Sequence, residues 1–389
     1  MIKIKEFANS SILALLLLSP GSFADENITI SELKQQLEVL KKRIELLEKQ
    51  QTANTQSVIN IAKPLSKSVA KEPKKTEKLP AGSSTNKVKL YATVRPTLGY
   101  IDEDDSKQMD VRDALSHAGF KATSEWDENW SATLHGEWAI DLSNNGDFGK
   151  ARQVYAALTS PIGTVGIGKQ RPVNYLFVAE YVDIFNHASS PFAYDPESIF
   201  FVDNLLTYKY KYQEVTWMAA AQFNGDDGNN YSDLINVGVS YDKDGLHAAA
   251  TYLSQQANVA NVDVGDDETY AAALAYDFDS GLYLALGYQD KDYQRTNGDL
   301  DRSGHTLDLS AAYWLAKEYR LKVGYFDFSD GHTNGLTQDF NGFNTTLEWV
   351  PKPWLRFHVE YLQRDFDYLD DFSSLSVGFR YDFSQQWQY

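Results

Sequence analysis

The C-terminal part of the chain alternates strictly between apolar and polar side chains. In residues 374–383 the large apolar side chains are Val377, Phe379, Tyr381 and Phe383, and the residues between them are Gly378, Arg380 and Asp382. A period of two puts alternate side chains on opposite faces of a β-strand. The stretch therefore predicts a strand with one aromatic and one charged face, which on its own is typical of a half-buried strand in a soluble sheet.

The same alternation recurs along the chain after residue 87. It appears in sixteen segments, at residues 88–100, 116–126, 129–141, 152–160, 164–170, 204–213, 214–223, 234–242, 245–254, 268–278, 281–291, 305–315, 318–329, 340–350, 353–365 and 374–383. Tyr, Phe and Trp, which favour strands, number 24, 20 and 8 in the whole chain. This composition predicts one large β domain with additional segments.

Short and long connections alternate between these segments. The short ones are residues 127–129, 160–163, 242–245, 279–281, 316–318 and 351–353, and the longer, acidic ones include residues 102–110, 142–149, 224–232 and 257–267. Transmembrane barrels sort their connections in this way, and closure removes the exposed edges of so many strands. The sequence thus predicts an all-β fold, a 16-stranded antiparallel transmembrane β-barrel over residues 88–389.

The chemistry of the two strand faces predicts which face meets lipid. In residues 353–365 the apolar set is Leu355, Phe357, Val359 and Tyr361, and the alternate set is Arg356, His358, Glu360 and Arg364. Charged side chains are costly against hydrocarbon and tolerated against water. We therefore expect the apolar set to face lipid and the charged set to face a water-filled interior.

Residues 1–24 have the features of a secretory signal peptide. Lys3 and Lys5 precede an apolar run at residues 12–18, and small residues lead to Ala24. The run is too short for a membrane-spanning helix, which needs about 20 apolar residues. We expect cleavage after Ala24 and export of the mature chain.

Residues 25–51 contain a heptad pattern. Its apolar seam, spaced alternately three and four residues apart, is Ile30, Leu33, Leu37, Leu40, Ile44 and Leu47. The seam predicts an α-helical coiled coil, and a single amphipathic helix packed on a globular domain is the alternative. Ile at a and Leu at d favour two strands, but RIELLE at residues 43–48 resembles the signature of short trimeric coiled coils, so we predict three. Residues 52–87, rich in Lys, Ser and Pro, predict a flexible linker.

Charge and cysteine content exclude several functions. Residues 88–389 hold 22 basic and 45 acidic residues, because 14 of the 36 basic and 9 of the 54 acidic residues precede them. Such an acidic domain is a poor partner for nucleic acid. The sequence has no cysteine, which excludes thiolate metal sites and cysteine nucleophiles, and it shows no nucleophile-elbow motif or ligand-spaced His/Asp cluster. We therefore expect no metal, no cofactor and no enzymatic activity.

Several segments resemble the trimeric 16-stranded porins of Gram-negative outer membranes. HAGFKAT at residues 117–123 is similar to their second strand, RQVYAALTSPIGTVGIGKQ at 152–170 to their fourth and fifth, and VDNLLTYKYKY at 202–212 to their sixth. SVGFRYDF at 376–383 resembles the C-terminal signal read during barrel insertion, through Gly378, Tyr381 and Phe383. Such chains usually end there, so the following SQQWQY implies either a last strand that reaches Tyr389 or a short periplasmic tail.

The resemblance implies a constriction inside the barrel. In these porins the loop after the fifth strand folds inward and sets carboxylates opposite a ladder of basic side chains. In this chain the loop would span residues 171–203, and its acidic candidates are Asp183, Glu180, Asp195 and Glu197. The basic candidates are Arg152, Arg95, Lys121 and His117, where His117 replaces the usual arginine. For each residue, ordinary polarity of the channel lining is the alternative explanation.

The resemblance also implies a function. It implies a homotrimeric outer-membrane porin, with the coiled coil in the periplasm, through which small hydrophilic solutes and ions diffuse passively; the acidic excess favours cations. A solute-specific channel for sugars or carboxylates is one alternative, and some sugar- and anion-selective porins carry a similar coiled coil. A tether between the outer membrane and the cell wall is another. The expected partners are outer-membrane lipid, lipopolysaccharide, the barrel-assembly machinery and peptidoglycan.

We predict that deleting residues 25–87 leaves a trimer that still conducts. A helix as short as residues 28–51 is marginal in isolation, so the barrel should supply most of the stability of the trimer. The coiled coil would add to it through the high effective concentration of three tethered copies. Electrophoresis of unheated samples should show a heat-modifiable trimer for the deletion variant, and a monomer would contradict the prediction.

Overall fold

The barrel part of the chain is described by a computed structural model. The described residues are 84–103, 106–143, 146, 148–186, 198–225, 232–259, 262–296, 298–332 and 337–389. They belong to the second of two compact units of the chain, Pro80–Tyr389. The predicted signal peptide, the coiled-coil seam and most of the linker lie outside the described residues.

The described residues form sixteen strands, two of which are interrupted. β1 comprises Thr85–Val94 and Pro96–Glu103, and β2 comprises Ser106–Asp113 and His117–Asp127. The others are β3 Trp130–Ile140, β4 Phe148–Ser160, β5 Gly163–Gln170, β6 Val202–Tyr212, β7 Val215–Gln222, β8 Leu234–Lys243, β9 Leu246–Val259, β10 Val262–Asp277, β11 Leu282–Arg295, β12 Arg302–Ala316, β13 Tyr319–Ser329, β14 Phe340–Lys352, β15 Leu355–Phe366 and β16 Phe372–Gln388. Each of the sixteen segments predicted from alternation contributes to one of these strands.

The sheet is closed and antiparallel, as predicted. Each strand pairs with its neighbours in chain order, and β16 returns to pair with both segments of β1. In this pairing Lys87 lies opposite Gln388, and the backbone amide of Asn86 donates to the carbonyl oxygen of Tyr389 at 2.9 Å. The residues after Phe383 therefore continue β16 and do not form a separate tail.

β1 and β2 are interrupted at the same height. Pro96 cannot donate a backbone hydrogen bond, and the strand breaks immediately before it, at Arg95. The amide of Arg95 donates to Ser116 Oγ at 2.7 Å, and its carbonyl oxygen accepts from the amide of Ala114 at 2.9 Å. Leu115 between these partners adopts a left-handed φ of 71°. Such irregularities re-aim side chains, and the residue at the centre of this one is Arg95.

Connections at one end of the barrel are all short. Between consecutive strands they comprise residues 128–129, 161–162, 213–214, 244–245, 278–281, 317–318 and 353–354. Asp244 and Gly245 both have positive φ, 48° and 85°, which is the geometry that hairpin turns of two residues require.

At the other end of the barrel, the prediction of a long acidic connection is wrong in two places. Residues 102–110 and 257–267 are mostly strand, since β1 and β2 are separated only by residues 104–105, and β9 and β10 only by residues 260–261. Strand pairing can continue beyond the membrane, where both faces meet water and the alternation of polarity disappears. Period-two reasoning therefore missed these strand ends.

The two faces of the sheet invert the pattern of a soluble protein. Leu274, Val359 and Val377 on the outer face are 52%, 46% and 47% exposed, while more polar than apolar residues are buried among the described residues. Glu360, predicted to face inward between Val359 and Tyr361, is 1% exposed. Lipid contact on the outside and a polar interior explain this inversion. Within the described ranges, no helix combines the length and apolar character needed to cross a membrane.

We predict that Leu286→Arg, on the outer face of β11, destabilises the folded barrel by about 2–4 kcal/mol, because it moves a charge into hydrocarbon. Leu286 is 39% exposed and alternates with the buried Ala285. Urea unfolding in lipid vesicles measures the change. The control is Lys211→Glu, which keeps a charge at an inward position of β6, and an equal loss of stability in both variants would contradict the assignment of the faces.

Candidate functional site: the inward loop and the basic wall

The connection between β5 and β6 turns into the barrel, as predicted. It forms a π-helical turn at Tyr175–Ala179 and an α-helical turn at Glu180–Val182. Val173, Val178 and Val182 of this connection are fully buried. They belong to one apolar cluster with small inward side chains of the wall, namely Ala220, Ala271, Ala273, Ala275 and Ala285. Because alanine leaves space above the sheet, the loop can lie directly on this part of the wall.

A row of hydrogen bonds fastens the loop to successive strands. The last carbonyl oxygens of a helix lack hydrogen-bond donors within the helix. Here side chains of the wall donate hydrogen bonds to the carbonyl oxygens of the loop. The acceptor and donor pairs are Phe177 O with His247 Nε2 at 2.9 Å, Tyr181 O with Tyr283 OH at 2.6 Å, Val182 O with Ser310 Oγ at 2.8 Å and Ile184 O with Lys322 Nζ at 2.5 Å. The four donors come from β9, β11, β12 and β13.

Both ends of this row are held by asparagine. The amide of Asn174 donates to Asn236 Oδ1 at 2.9 Å, and the Asn174 side chain bonds to Thr251 and Gln289 at 2.6 and 2.8 Å. At the other end the amide of Asn186 donates to Glu360 Oε2 at 3.1 Å, and its side chain donates to Glu348 Oε1. The segment between residues 174 and 186 is therefore anchored from β8 to β15.

Two glycines of the wall make room for the loop. A Cβ atom on Gly238 would lie 2.9 Å from Val173 Cγ1, and one on Gly324 would lie 2.5 Å from Phe185 Cζ. Both distances are shorter than a normal contact. At these two points the wall has glycine, whose missing side chain leaves room for the loop.

The acidic candidates on the loop fall into two groups. Glu180 is exposed and Asp183 is half-buried, and Asp183 interacts electrostatically with Arg95 of β1. The carbonyl groups of Val182 and Ile184, on either side of Asp183, are both bonded to the wall. Asp195 and Glu197 lie outside the described residues.

Arg95, at the break in β1, belongs to a row of four arginines whose other members lie on β16, β15 and β13. It interacts electrostatically with Arg380 of β16, which interacts with Arg356 of β15, which in turn interacts with Arg320 of β13. Asp382 lies among them, with its carboxylate 2.8 Å from Arg380 Nε and 3.8 Å from Arg356 Nη2. The basic candidates named from the sequence lie on β1, β2 and β4, whereas Arg380, Arg356 and Arg320 lie on strands on the other side of β1.

Arg152, the predicted basic residue of β4, is paired with a carboxylate. Its Nε donates to Glu137 Oε1 at 2.8 Å, and the Arg152 side chain is only 11% exposed. Glu137 Oε2 accepts from Tyr91 OH at 2.8 Å. The Arg152 guanidinium also lies 4.9 Å from the centre of the Phe201 ring, which Arg171 approaches to 4.5 Å.

The remaining basic candidates differ in their distance from the cluster formed by Arg152, Glu137 and Tyr91, here called the Arg152 cluster. His117 Nε2 lies 3.8 Å from Glu137 Oε2, and its Nδ1 donates to the carbonyl oxygen of Leu115 at 2.8 Å. Lys121 is exposed, four residues closer to the short-turn end of β2, and lies opposite His135. The structure thus brings His117 to the Arg152 cluster and leaves Lys121 outside it.

Glu137 is the main residue that sequence reasoning missed. It shares the inward phase of β3 with His135, so alternation could have identified it as a residue of the lining. Its pairing with Arg152 depends on the register of β3 with β4, including the irregularities near Trp138. The sequence of one strand does not determine its register with the neighbouring strand.

Comparison with known proteins identifies a family. The sequence profile of a family described as Gram-negative porin matches residues 78–388, far more than half of the chain. No curated protein sequence matches significantly.

Solved structures with the same fold are outer-membrane proteins. An anion-selective porin from Comamonas acidovorans superposes with a TM-score of 0.66 and 16% identity, covering 77% of this chain and 100% of that chain. OmpT of Vibrio cholerae in its trimer form gives 0.62 and 16%, covering 77% and 99%. Salmonella typhi OmpF in complex with daunomycin gives 0.62 and 18%, covering 77% and 98%. Identities this low establish the fold and not the solute.

We predict that Gly324→Ala lowers the single-channel conductance, because the added methyl group pushes Phe185 and the loop away from the wall and into the lumen. The control is Gly99→Ala, where the nearest atoms to a new Cβ are 3.9 Å away. Planar-bilayer recordings of both variants measure the effect. Equal conductance in the wild type and both variants would show that Phe185 does not fix the position of the loop.

Proposed function

Since the chain belongs to the Gram-negative porin family, we propose that it forms a water-filled channel through which small hydrophilic solutes and ions cross the outer membrane by passive diffusion. The observation that carries the proposal is the loop that is anchored inside a polar barrel, where it narrows the lumen. No binding cycle or energy source is needed for this function.

The proposed constriction lies between the loop and the arginine row. Asp183 and Glu180 supply the acidic side, and Arg95 and Arg152 the basic side, with Asp195 and Glu197 as further acidic candidates. Charges of opposite sign across a narrow pore orient water and favour polar over apolar solutes. In this proposal His117 adds to the basic side next to Arg152. Lys121 adds a positive charge closer to the short-turn end of β2.

We propose a preference for cations. Three bases of the wall are paired with carboxylates, Arg152 with Glu137, Arg380 with Asp382, and Lys322 with Glu348 at 2.8 Å. The acids of the loop and the excess of 45 acidic over 22 basic residues after residue 87 favour cations over anions. Exposed charges are screened beyond about 8–10 Å at physiological salt, so residues at the narrowest point should dominate.

The assembly that we propose is a homotrimer, with residues 25–51 as a periplasmic coiled coil and residues 52–87 as the linker. The outer face of β2 to β5 supports a contact between copies, since it has an apolar groove of about 600 Å³ lined by small residues such as Ala132 and Ala156. Signal cleavage after Ala24, insertion by the barrel-assembly machinery through Gly378, Tyr381 and Phe383, and contacts with lipopolysaccharide complete the proposal.

Two other functions are alternatives to a general channel, namely a solute-specific channel and a tether to the cell wall. A solute-specific sugar channel would offer exposed aromatic faces in the lumen, but the inward Phe326, Phe328, Phe340 and Phe372 are at most 5% exposed and pack in one cluster. A panel of sugars, phosphate and dicarboxylates added during single-channel recording would reveal specific block. A tether to peptidoglycan would require residues 25–87, and co-sedimentation of the deletion variant with cell wall tests that role.

We predict that three lumen substitutions shift the reversal potential across a KCl gradient in defined directions. Asp183→Asn and Glu137→Gln should move the preference towards chloride, the first by removing a loop charge and the second by releasing Arg152. Arg152→Gln should move it towards potassium. The control Asp110→Asn, at the exposed outer end of β2, should have no effect.

The opposite pattern would overturn the placement of the constriction. If the Asp110 variant shifts the reversal potential and the three lumen variants do not, ion selection takes place outside the cluster described here.

A further inference from the structure

His247 lies at the point where the helical part of the loop meets β9. Its side chain is 5% exposed. Its Nδ1 lies 2.6 Å from Asp242 Oδ1, and its Nε2 lies 2.9 Å from the carbonyl oxygen of Phe177. The aromatic ring of Tyr181 stacks on the imidazole. The histidine therefore connects the wall to the loop in two directions at once.

Both partners of the imidazole nitrogens are acceptors. A carbonyl oxygen has no proton, and an ionised carboxylate has none either. A neutral imidazole carries one N–H and could satisfy only one of these contacts, whereas the imidazolium carries two. With Asp242 ionised, only the doubly protonated ring donates a hydrogen bond to both acceptors.

We propose that His247 is a positioning residue of the constriction, which clamps the loop to the wall as an imidazolium and releases the loop when it loses a proton. This inference rests on the proposed channel function, because the clamped loop is the element that narrows the lumen. His247 touches no permeating solute in this role and acts through the backbone of Phe177.

Acidic and aromatic groups from β8 and from the loop lie around His247. From β8, Asp242 also accepts from Ser240 Oγ at 3.0 Å and from Tyr181 OH at 3.4 Å, which keeps its carboxylate directed at the ring. From the loop, Glu180 interacts electrostatically with His247. Tyr181 adds the face of an aromatic ring, which attracts cations.

Further groups around this position lie on the neighbouring strands and turn. β10 places Ala275 directly opposite His247. The residues that share the adjoining cavity of about 390 Å³ include Lys243, Asp244, Asp277 and Tyr283. Lys243 is paired with Glu214 at 3.6 Å, and Tyr283 OH is committed to the carbonyl oxygen of Tyr181.

Loss of one ring proton has a definite effect on these contacts. The ring with two protons makes both hydrogen bonds. A ring with a single proton leaves either Asp242 or the Phe177 carbonyl without a donor. If the remaining proton stays with the charged Asp242, the stronger acceptor, the bond to the loop is the one that is lost.

The protonation state can be read from the ¹⁵N chemical shifts of the ring in the full-length protein in detergent. The chain has 7 histidines, and His247→Gln assigns the signal. We expect both ring nitrogens of His247 to be protonated while the loop is clamped. A spectrum of a single neutral tautomer at about pH 5 would overturn the proposal.

The positioning role is tested by single-channel recordings at about pH 5 and about pH 9. In the wild type we expect at least a tenfold increase in the frequency of current fluctuations at the higher pH, equivalent to about 1.4 kcal/mol. His247→Gln should fluctuate at both values. The matched control is His305→Gln, because His305 Nε2 is also 2.6 Å from an aspartate, Asp327 of β13, but bonds to the wall instead of the loop.

The outcomes distinguish failure of the positioning role of His247 from failure of the proposed channel function. Identical pH profiles for the wild type and His247→Gln would overturn the positioning role, even with an imidazolium in the spectrum. A wild-type protein without conductance at any pH would refute the proposed channel function, and the ¹⁵N spectra would still decide whether His247 is doubly protonated.

Discussion

The hydrogen bonds between the inward loop and the barrel wall are the interaction on which the constriction depends. Two short helical turns leave carbonyl oxygens that need donors, and a buried carbonyl without a donor is costly. His247, Tyr283, Ser310 and Lys322 provide these donors from four strands. Because the neighbouring carbonyl groups are held by the wall, Asp183 has a fixed position from which it can act on Arg95.

The same wall must hold charges in a partly buried setting, and it does so by pairing them. Lys322 and Glu348 are 2% and 1% exposed and lie 2.8 Å apart, and Lys322 also holds the loop. A buried charge without a partner would destabilise the fold strongly. Because of this pairing, basic side chains in the lumen can have a structural role. The number of basic residues therefore overstates the positive potential that a permeating ion encounters. Glu137 beside Arg152 is the clearest example.

Local chemistry explains which parts of the fold could be predicted. Alternation placed Phe357, Val359 and Val377 on the outer face correctly, because lipid on one side and water on the other impose a period of two. It failed at residues 102–110 and 257–267, where the strand continues without alternation of apolar and polar side chains. The loop and Arg152 were reached only through resemblance to porins, and Glu137 was missed because its role depends on a neighbouring strand.

The sequence by itself determined the number of strands, their faces and the short connections at one end, since each is encoded within one strand or one turn. Only the tertiary structure decided what the lumen contains. Barrel closure brings Arg95, Arg380 and Arg356 into one row from β1, β16 and β15. The register of β3 with β4 sets Glu137 against Arg152, and the path of the loop brings Phe177 to His247. These contacts join residues that are distant in sequence, and their geometry exists only once the sheet has closed.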